Sequence, residues 1–317
     1  MDKQNWIYAI AGGVLSALLL YVGFHNPLLA ATVSNLCHIP LFMVALALSH
    51  TGAMLGTVAG TLLMLFLVKV EGVFSAGGAM LFLFLCGIPS IVIGHFSLLS
   101  RDVMGRTEWY PIGNVLVWLV AASFAIYTTF FLAASQPGNE WTVQLQDEIV
   151  KYMSSQMPPD QQLALEDLQA LVSSILQYLP GVVVSIFLLT VVVNALIAEW
   201  LLVRMGKQQR PMPLMHELDL PDWTPMVVAG IGLIVFLASG NWQIWAINML
   251  VICLIPLLLA GLSVIHTLVL KSPMRMVWLV IVYGIVLFSP FLAMMPLFLI
   301  AAIGLAEQWL ELRKRVN

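Results

Sequence analysis

Residues 136–178 read QPGNEWTVQLQDEIVKYMSSQMPPDQQLALEDLQALVSSILQY and form the only long polar stretch in a sequence of 317 residues. Six carboxylates occur in this stretch against a single cation, Lys151. The sequence on either side is almost continuously apolar. The contrast predicts an acidic segment outside a membrane, with about five membrane spans before it and about five after it.

The composition excludes an ordinary soluble protein. Hydrophobic residues make up 61% of the chain and charged residues 9%, whereas soluble domains have about 45–50% and about 25%. So few charges cannot cover a surface that faces water, and the lipid bilayer is therefore the predicted surroundings. No basic run is interleaved with aromatic residues, so the sequence predicts no nucleic-acid partner.

Apolar segments of the length needed to cross a bilayer recur along the chain, at about 20 residues for each crossing. They predict an all-α, polytopic transmembrane helical bundle of about ten spans, with eight as the lower bound. The segments are Trp6–Phe24, Leu28–Leu48, Thr51–Val70, Phe74–Leu99, Pro111–Ala134, Leu179–Val203, Thr224–Ser239, Gln243–Leu268, Val277–Phe291 and Leu297–Trp309. Arg101–Tyr110 is read as a charged connection.

The last apolar run, Val277–Trp309, requires a decision between one helix and two. A single helix of this length would extend about 50 Å, far beyond the hydrocarbon core. Pro290 and Pro296 lie near its middle, and interior prolines break or kink helices. The run is therefore predicted to form two short spans.

The distribution of cations predicts the orientation of the spans. With the N-terminus in the cytoplasm, eleven Lys and Arg residues fall on inside loops, and only Lys69 and Lys151 fall outside. The prediction is a multi-pass protein of the cell (inner) membrane with both termini cytoplasmic. It divides the chain into membrane halves 1–134 and 179–317 and an external segment 135–178.

The external segment carries helical periodicity on both sides of a proline break, Pro158-Pro159. Asp160 is a predicted cap of the second helix. In the first predicted amphipathic helix, the residues at helical spacing are Leu145, Ile149, Tyr152, Met153 and Gln156. In the second, one apolar stripe comprises Ala164, Leu168, Leu171, Val172 and Ile175. Such helices suit a connector that lies on the outer face, or a lid over an outward-facing cavity.

Polar side chains inside spans are costly and often functional. Pro40 and Pro256 are predicted to unwind two of the spans and to free backbone carbonyls nearby. The candidates for a solute pocket that opens to the outside are Asn35, His38, Asn194 and Asn248. Hydrogen bonds between helices are the alternative role for each of them.

The sequence contains three cysteines, Cys37, Cys86 and Cys253, each alone within an apolar segment. Isolated cysteines in such segments are expected to be small packing residues. A lone histidine such as His38 is likewise expected to pack rather than to bind a metal. The sequence therefore predicts no metal site and no cofactor.

Small residues recur at a spacing of four in two spans. On a helix this spacing gives one face that a second backbone can approach closely. The residues are Ala9, Gly13 and Ala17 in the first span, and Gly52, Gly56 and Gly60 in the third. These faces suit helix packing within the chain, or docking of a membrane protein partner.

A second polar group lies at the predicted cytoplasmic ends of the spans, at His95, Glu199, His266 and Glu307. Ion pairing with nearby arginines is one interpretation, and a partner surface or proton path is the other. The chain has no Gly-x4-Gly-Lys-Ser/Thr loop and no Gly-x-Ser-x-Gly elbow. The sequence predicts neither an enzyme nor a built-in ATPase.

Three short C-terminal motifs resemble a known family. The motifs are LPDW at 220–223, GLSVIH at 261–266, and GL at 304–305 followed by Trp309 and Arg313-Lys314-Arg315. They resemble the YybS-like family of bacterial multi-pass membrane proteins, a domain of unknown function. That family often has an acidic residue soon after the final Gly-Leu, and here Ala306-Glu307 occupies this position.

The family is more remotely similar to the S components of energy-coupling-factor vitamin importers. In those proteins a small-residue stripe on the first helix docks the coupling subunit. The similarity implies docking through Ala9, Gly13 and Ala17, and a separate energy-coupling subunit as partner.

These observations lead to two hypotheses. The first is a transport-related protein that binds a small solute from the outside and depends on a separate energy source. The second is a non-catalytic membrane scaffold or assembly factor for cell-envelope proteins.

Overall fold

The computed structural model describes residues 3–26, 33–70, 73–74, 76–136, 141–156, 165–270, 272–288 and 295–314. Most of these residues are helical, which confirms the predicted all-α bundle. The helices are α1 (Lys3–His25), α2 (His38–Leu67), α3 (Ala76–Phe82), α4 (Ile88–Phe96), α5 (Ile112–Ala134), α6 (Trp141–Gln156), α7 (Leu165–Leu176), α8 (Leu179–Arg204), α9 (Thr224–Leu237), α10 (Asn241–Val269), α11 (Arg275–Phe288) and α12 (Met295–Leu310).

The described residues form two compact units that are interleaved along the chain. The first comprises 1–122, 188–222 and 256–317, and the second comprises 123–187 and 223–255. Helices α5, α8 and α10 contribute residues to both units. The sequence analysis instead divided the chain into two membrane halves and an external segment, 135–178, according to the charge pattern. That division stays a prediction.

Helix α2 is a helical hairpin whose chain reverses at Ser49. Ser49 has φ 77° and ψ 179°, outside the helical region. A Cβ placed on Gly52 would lie 3.4 Å from Cγ1 of Val44, although residues eight apart in a straight helix are about 12 Å apart. The two arms therefore lie side by side, as the separate second and third predicted spans require.

We expect Ser49→Gly to stabilise the protein by about 1 kcal/mol, because this backbone region is almost confined to glycine and costs about 1–3 kcal/mol elsewhere. The gain is reduced by loss of the bond between Ser49 Oγ and Thr51 Oγ1, which is 3.1 Å long, and by the greater freedom of glycine in the unfolded chain. Thermal unfolding in detergent measures the effect. Ser135→Gly is the matched control, since Ser135 lacks a positive φ. A lower unfolding temperature for Ser49→Gly would contradict the expectation.

Apolar helices of membrane-spanning character dominate the fold. Six described helices are long and apolar enough to cross a membrane, and Thr224–Leu237, Arg275–Phe288 and Met295–Leu310 are shorter apolar helices. One of the six long helices is the α2 hairpin, which has two arms and therefore counts as two apolar segments. Together with the three shorter helices, the described helices supply ten apolar segments, as predicted. Exposed apolar side chains such as Phe236 and Leu237 are consistent with a lipid-facing surface.

The end of the chain folds as two helices rather than one. Helix α11 ends at Phe288 and helix α12 begins at Met295. Pro296 lies in the first turn of α12, where a missing backbone N–H has no cost. The predicted break at Pro290 lies outside the described residues.

Prolines elsewhere interrupt the helices less than predicted. Pro40 lies in the first turn of α2, and Pro256 lies inside α10 without ending that helix. Pro89 has a larger effect, because it follows a five-residue π-helical segment, Leu83–Gly87, that joins α3 to α4. Pro89 cannot donate a hydrogen bond to Leu85, and widening of the preceding turn accommodates its ring.

The predicted charged connection 101–110 contains a β-hairpin. Strands β3 (Ser100–Val103) and β4 (Arg106–Trp109) pair antiparallel, after a two-stranded pair formed by β1 (Lys69–Val70) and β2 (Val73–Phe74). Met104 and Gly105 both have positive φ, as a two-residue hairpin turn requires. Asp102 Oδ1 accepts a hydrogen bond from the Gly105 N–H at 2.8 Å.

The acidic segment forms a helical pair, α6 and α7, in the second unit. Val150, Leu168 and Val172 are buried against one another, with Ile149, Met153 and Leu176 packed around them. Of the predicted residues, Ile149, Met153, Leu168 and Val172 take part in this contact, whereas Tyr152 and Ile175 are exposed. The helices use part of each stripe to bind each other. Pro158-Pro159, Asp160 and Ala164 lie outside the described residues.

Candidate functional site

Three of the predicted solute-binding residues meet in the first unit. Asn194 on α8 donates from Nδ2 to the Asn35 carbonyl, and its Nδ2 lies 3.3 Å from Nδ1 of His38. Asn194 and His38 are both buried, at 2% and 4% exposure. The contact joins α8 to the start of α2. This agrees with the alternative role given above, in which these polar residues make hydrogen bonds between helices.

Asn248, the fourth predicted residue, lies in the second unit. Its Oδ1 accepts a hydrogen bond from the Gly181 N–H at 2.6 Å, and its Nδ2 donates to the carbonyls of Gln177 and Ile244 at 2.9 Å each. Its amide thus links α10 to the start of α8. The role of all four residues in binding a solute stays a prediction.

The small-residue faces pack against each other. A Cβ on Gly13 would lie 1.9 Å from the Gly56 carbonyl oxygen, and one on Gly56 would lie 2.7 Å from that of Ala9. A Cβ on Gly60 would overlap Phe82, and Ala17 is fully buried. These faces are occupied within the chain, so docking of a partner there would require α1 and α2 to separate.

Two of the three cysteines lie close together in space, although 48 residues separate them in the sequence. Cys37 Sγ lies 3.5 Å from Cys86 Sγ and 3.7 Å from His38 Nδ1. All three side chains are buried. Cys253 on α10 is buried too, but it is not part of this group. The burial of all three cysteines agrees with the packing prediction, and Cys37 and Cys86 both belong to a hydrophobic core cluster.

A cavity of about 440 Å³ lies in the first unit. Its lining is mainly aliphatic, from α2, α4, α5, α8, α10 and the connection after α8. The exposed residues Met212 and Leu214 lie on that connection and form part of the lining, so the cavity opens there. Asn35, His38 and Asn194 are not among its lining residues.

Glu199 and Arg210 place opposite charges in this apolar cavity. Both are buried, at 4% and 9% exposure, and both line the cavity. Arg210 Nη1 donates to the Ser97 carbonyl at 2.9 Å. Glu199 Oε1 and Arg210 Nε have no hydrogen-bond partner among the described residues, and the two side chains form no ion pair there.

The electrostatics at Arg210 favour an additional acceptor. Burial lowers the pKa of the Arg210 guanidinium below its ordinary value, and the carboxylates of Glu199 and Glu217 offset this only in part. A hydrogen-bond acceptor placed at Nε would stabilise the charged form. The cavity thus has an apolar body and one polar end with an open acceptor and an open donor.

The other members of the predicted cytoplasmic polar group have local partners. Glu307 Oε1 accepts a hydrogen bond from Arg313 Nε at 2.8 Å, which agrees with the ion-pair interpretation. His266 Nε2 lies 3.0 Å from the Tyr283 hydroxyl, and the ring centroid of His95 lies 5.2 Å from that of His50. Glu199 differs from the other three because no described residue bonds to its Oε1.

A second cavity, of about 540 Å³, lies in the second unit between α5, α9 and α10. Its lining residues are uncharged, and the Trp245 indole N–H donates to Thr128 Oγ1 at 3.1 Å. This cavity lacks the buried charges of the first one. The first cavity is therefore the better candidate for a site with chemical selectivity.

Sequence reasoning missed Arg210 as a site residue. It counted Arg210 among the eleven cations predicted to lie on inside loops. The available signal was the apolar, proline-containing stretch PMPLM at 211–215 directly after it, which is unusual for a solvated loop. Arg204 is different, because its guanidinium lies over the exposed Trp200 ring, 4.9 Å from the centroid.

Comparison with known proteins gives one match. The model of a family described as predicted membrane proteins, DUF2232, matches residues 14–306. No curated protein and no solved structure matches the chain. The family match agrees with the resemblance to YybS-like membrane proteins, whereas the similarity to S components stays a prediction.

Proposed function

Since the chain belongs to this DUF2232 family of predicted membrane proteins, we propose that it binds a small amphipathic solute in the cavity of its first unit. Glu199 and Arg210 would hold the polar end of the solute, and the aliphatic lining would hold its apolar body. The solute-binding step would serve transport, with energy supplied by a separate protein.

The observation that carries the proposal is the pair of buried, incompletely bonded charges in an apolar cavity. Ligand sites typically have about 300–1,000 Å³ and an apolar lining with a few placed polar groups, and this cavity has about 440 Å³. A buried polar atom without a partner costs about 1–3 kcal/mol. A solute that bonds to Glu199 Oε1 and Arg210 Nε would remove both costs.

The charges also restrict the solute. Glu199 and Arg210 together are neutral, so a solute with net charge would leave one charge unbalanced in an apolar site. The matching polar end is neutral or zwitterionic, with one donor for the carboxylate and one acceptor for the guanidinium. Simple monovalent anions and cations do not match this pattern.

The predicted orientation places the cavity near the cytoplasm. Glu199 lies close to the C-terminal end of α8, and Ile112 begins α5. The positive-inside rule assigns both of these helix ends to the cytoplasmic side of the inner membrane. Entry or release through this cavity would therefore be cytoplasmic, unlike the outward-facing pocket expected from Asn35, His38 and Asn194.

We expect Ala195→Phe to remove a co-purifying solute from the protein, because Ala195 lines the cavity and a phenyl ring would fill it. The protein would be extracted from its own membrane in a mild detergent and measured by native mass spectrometry. Wild type should carry a small molecule, and occupancy in Ala195→Phe should fall at least about tenfold, equivalent to about 1.4 kcal/mol.

Val193→Phe is the matched control. Val193 is on the same helix, is 46% exposed and does not line the cavity. This variant should keep the wild-type occupancy, and both variants should unfold near the wild-type temperature. A wild-type protein without a bound small molecule, or equal occupancy in the two variants, would contradict the proposal.

The scaffold hypothesis relied on the two small-residue faces and on the external amphipathic helices. The small-residue faces pack against each other within the chain, and the described helices α6 and α7 also pack against each other. Co-purification of envelope proteins in place of a small molecule would favour the scaffold hypothesis.

A further inference from the structure

The Cys37, His38 and Cys86 side chains form a group apart from the cavity. Their potential ligand atoms all lie within 4.8 Å of one another, and all three residues are buried. They come from two different parts of the first unit, the start of α2 and the π-helical segment Leu83–Gly87. We propose that they bind one thiophilic divalent metal ion, with Zn²⁺ as the best match.

Two of the three ligand–ligand distances fit a single ion, and the third is at most 4.8 Å. Zinc lies about 2.3 Å from thiolate sulfur and about 2.0–2.1 Å from imidazole nitrogen. Tetrahedral angles then place two sulfurs about 3.8 Å apart and a sulfur and nitrogen about 3.5 Å apart. The observed separations are 3.5 Å for the sulfurs of Cys37 and Cys86 and 3.7 Å for Cys37 Sγ and His38 Nδ1.

The two cysteines lie at a turn and in a π-helical segment. Cys37 lies at a turn between helical residues 33–36 and α2. Cys86 lies in the widened turn before Pro89, and the Ser90 hydroxyl donates to the Cys86 carbonyl at 2.6 Å. π-Helical turns within α-helices occur frequently at functional sites. Here the π-helical segment carries the Cys86 thiol that lies 3.5 Å from that of Cys37.

Charge selects a divalent ion. Two thiolates and a neutral imidazole carry two negative charges, which a divalent ion neutralises. A neutral site is favoured in an apolar segment, where an unpaired charge is costly, and a monovalent ion such as Cu⁺ would leave one negative charge. Binding releases two thiol protons to solvent, so the affinity should rise with pH.

Asn194 contacts the third ligand atom and must give up that contact for the ion to bind. Its Nδ2 lies 3.3 Å from His38 Nδ1 and also donates to the Asn35 carbonyl. On metal binding, the Nδ1 lone pair would turn to the ion while Asn194 keeps its bond to Asn35. Three protein ligands leave the fourth position for water or another ligand, as in exchangeable zinc sites rather than closed structural ones.

The test uses the full chain without a histidine tag, purified in detergent, reduced, treated with a chelator and then reloaded with Zn²⁺ or Co²⁺. We expect one ion per chain after gel filtration, and Co²⁺ should give thiolate-to-metal charge-transfer absorption. Cys37→Ser and Cys86→Ser should each lower the bound metal at least tenfold. Cys253→Ser is the matched control and should keep one ion, since this buried cysteine is outside the group.

X-ray absorption of the zinc-loaded wild-type protein provides a test that needs no variant. Two sulfurs and one nitrogen in the first coordination shell would support the site, and a shell of oxygen and nitrogen alone would overturn it. Equal metal content in wild type, Cys37→Ser and Cys86→Ser would overturn it too. The proposal would also be overturned if the reduced protein bound no ion, or if a Cys37–Cys86 disulfide formed in preference to metal binding.

Discussion

Gly13→Ala is expected to lower the free energy of unfolding by about 3 kcal/mol or more, the upper end of the cost of overpacking. The new methyl carbon would lie 1.9 Å from the Gly56 carbonyl oxygen and 2.8 Å from its Cα. Both atoms belong to the backbone, so no side-chain rotation relieves the overlap. Helix α1 would have to move away from the α2 hairpin along their whole contact.

Gly284→Ala is the matched control for this prediction. Gly284 lies within α11, and a Cβ there would meet no described atom within 4 Å. Alanine is the better helix former by about 1 kcal/mol in water, so this variant should be neutral or slightly stabilised. Unfolding in detergent with increasing denaturant measures both variants. Equal stability of Gly13→Ala and Gly284→Ala would show that α1 and α2 do not pack as closely as described.

Comparing Gly13→Ala with Gly284→Ala also tests whether the small-residue faces serve packing within the chain or docking of a partner. If α1 and α2 separate to admit a partner, Gly13→Ala should weaken the complex while leaving the isolated chain folded. If the contact is purely internal, loss of stability should accompany every other effect. The unfolding measurement and the recovery of a complex therefore distinguish the two roles.

The helices were predictable because each apolar segment carries its own signal. Lipid requires every backbone hydrogen bond to be made within a helix, so hydropathy alone indicates the spans, including the split between α11 and α12. Ser49 marks the limit of this reasoning. The sequence predicted a break between two spans near this residue. It did not predict that the chain reverses at Ser49 itself through a positive φ, because this depends on the packing of Val44 beside Gly52.

The site was predictable only in part, because tertiary contacts create it. Asn194 and His38 stood out as polar residues in apolar segments, and they do meet. Cys37 and Cys86 gave no signal as a pair, since no sequence spacing indicates a contact across 48 intervening residues. Arg210 was counted among the cations of the inside loops, whereas its side chain is buried at 9% exposure.

The motifs shared with the YybS-like family acquire a physical explanation in the first unit. A Cβ on Gly304 would lie 2.0 Å from the Leu257 carbonyl oxygen and 2.6 Å from the Gly261 nitrogen. The two glycines therefore allow α10 and α12 to cross closely. Beside this crossing, Ser263 Oγ donates to the Leu218 carbonyl at 2.9 Å, and Arg313 Nη1 donates to the same carbonyl at 3.0 Å.

Glu307→Gln is expected to destabilise the protein by about 3 kcal/mol, because it removes the buried carboxylate of an ion pair and leaves Arg313 only the exposed Asp219 as a counter-charge. Glu307 is 6% exposed and accepts hydrogen bonds from Arg313 Nε and from the Leu312 backbone N–H, both at 2.8 Å. Burial lowers the pKa of Arg313, but its bonds to Glu307 and Asp219 outweigh this and hold the pKa above its ordinary value. A glutamine would turn an N–H₂ group towards donors.

Asp219→Asn is the matched control for Glu307→Gln. Asp219 contacts the same guanidinium at 2.6 Å, but its side chain is 70% exposed, and exposed pairs contribute about 0–1 kcal/mol. We therefore expect a loss below about 1 kcal/mol for this variant. Equal losses for the two variants would mean that burial does not decide the strength of these pairs.

The double variant Glu307→Gln/Arg313→Met separates the ion pair from the other contacts. Replacing both members of a buried pair costs less than leaving one charge unpaired, so the double loss should be smaller than the sum of the single losses. Arg313→Met also removes the donor to the Leu218 carbonyl, and Ser263 Oγ remains bonded there. Strict additivity in the unfolding free energies would show that Glu307 and Arg313 act independently at the end of α12.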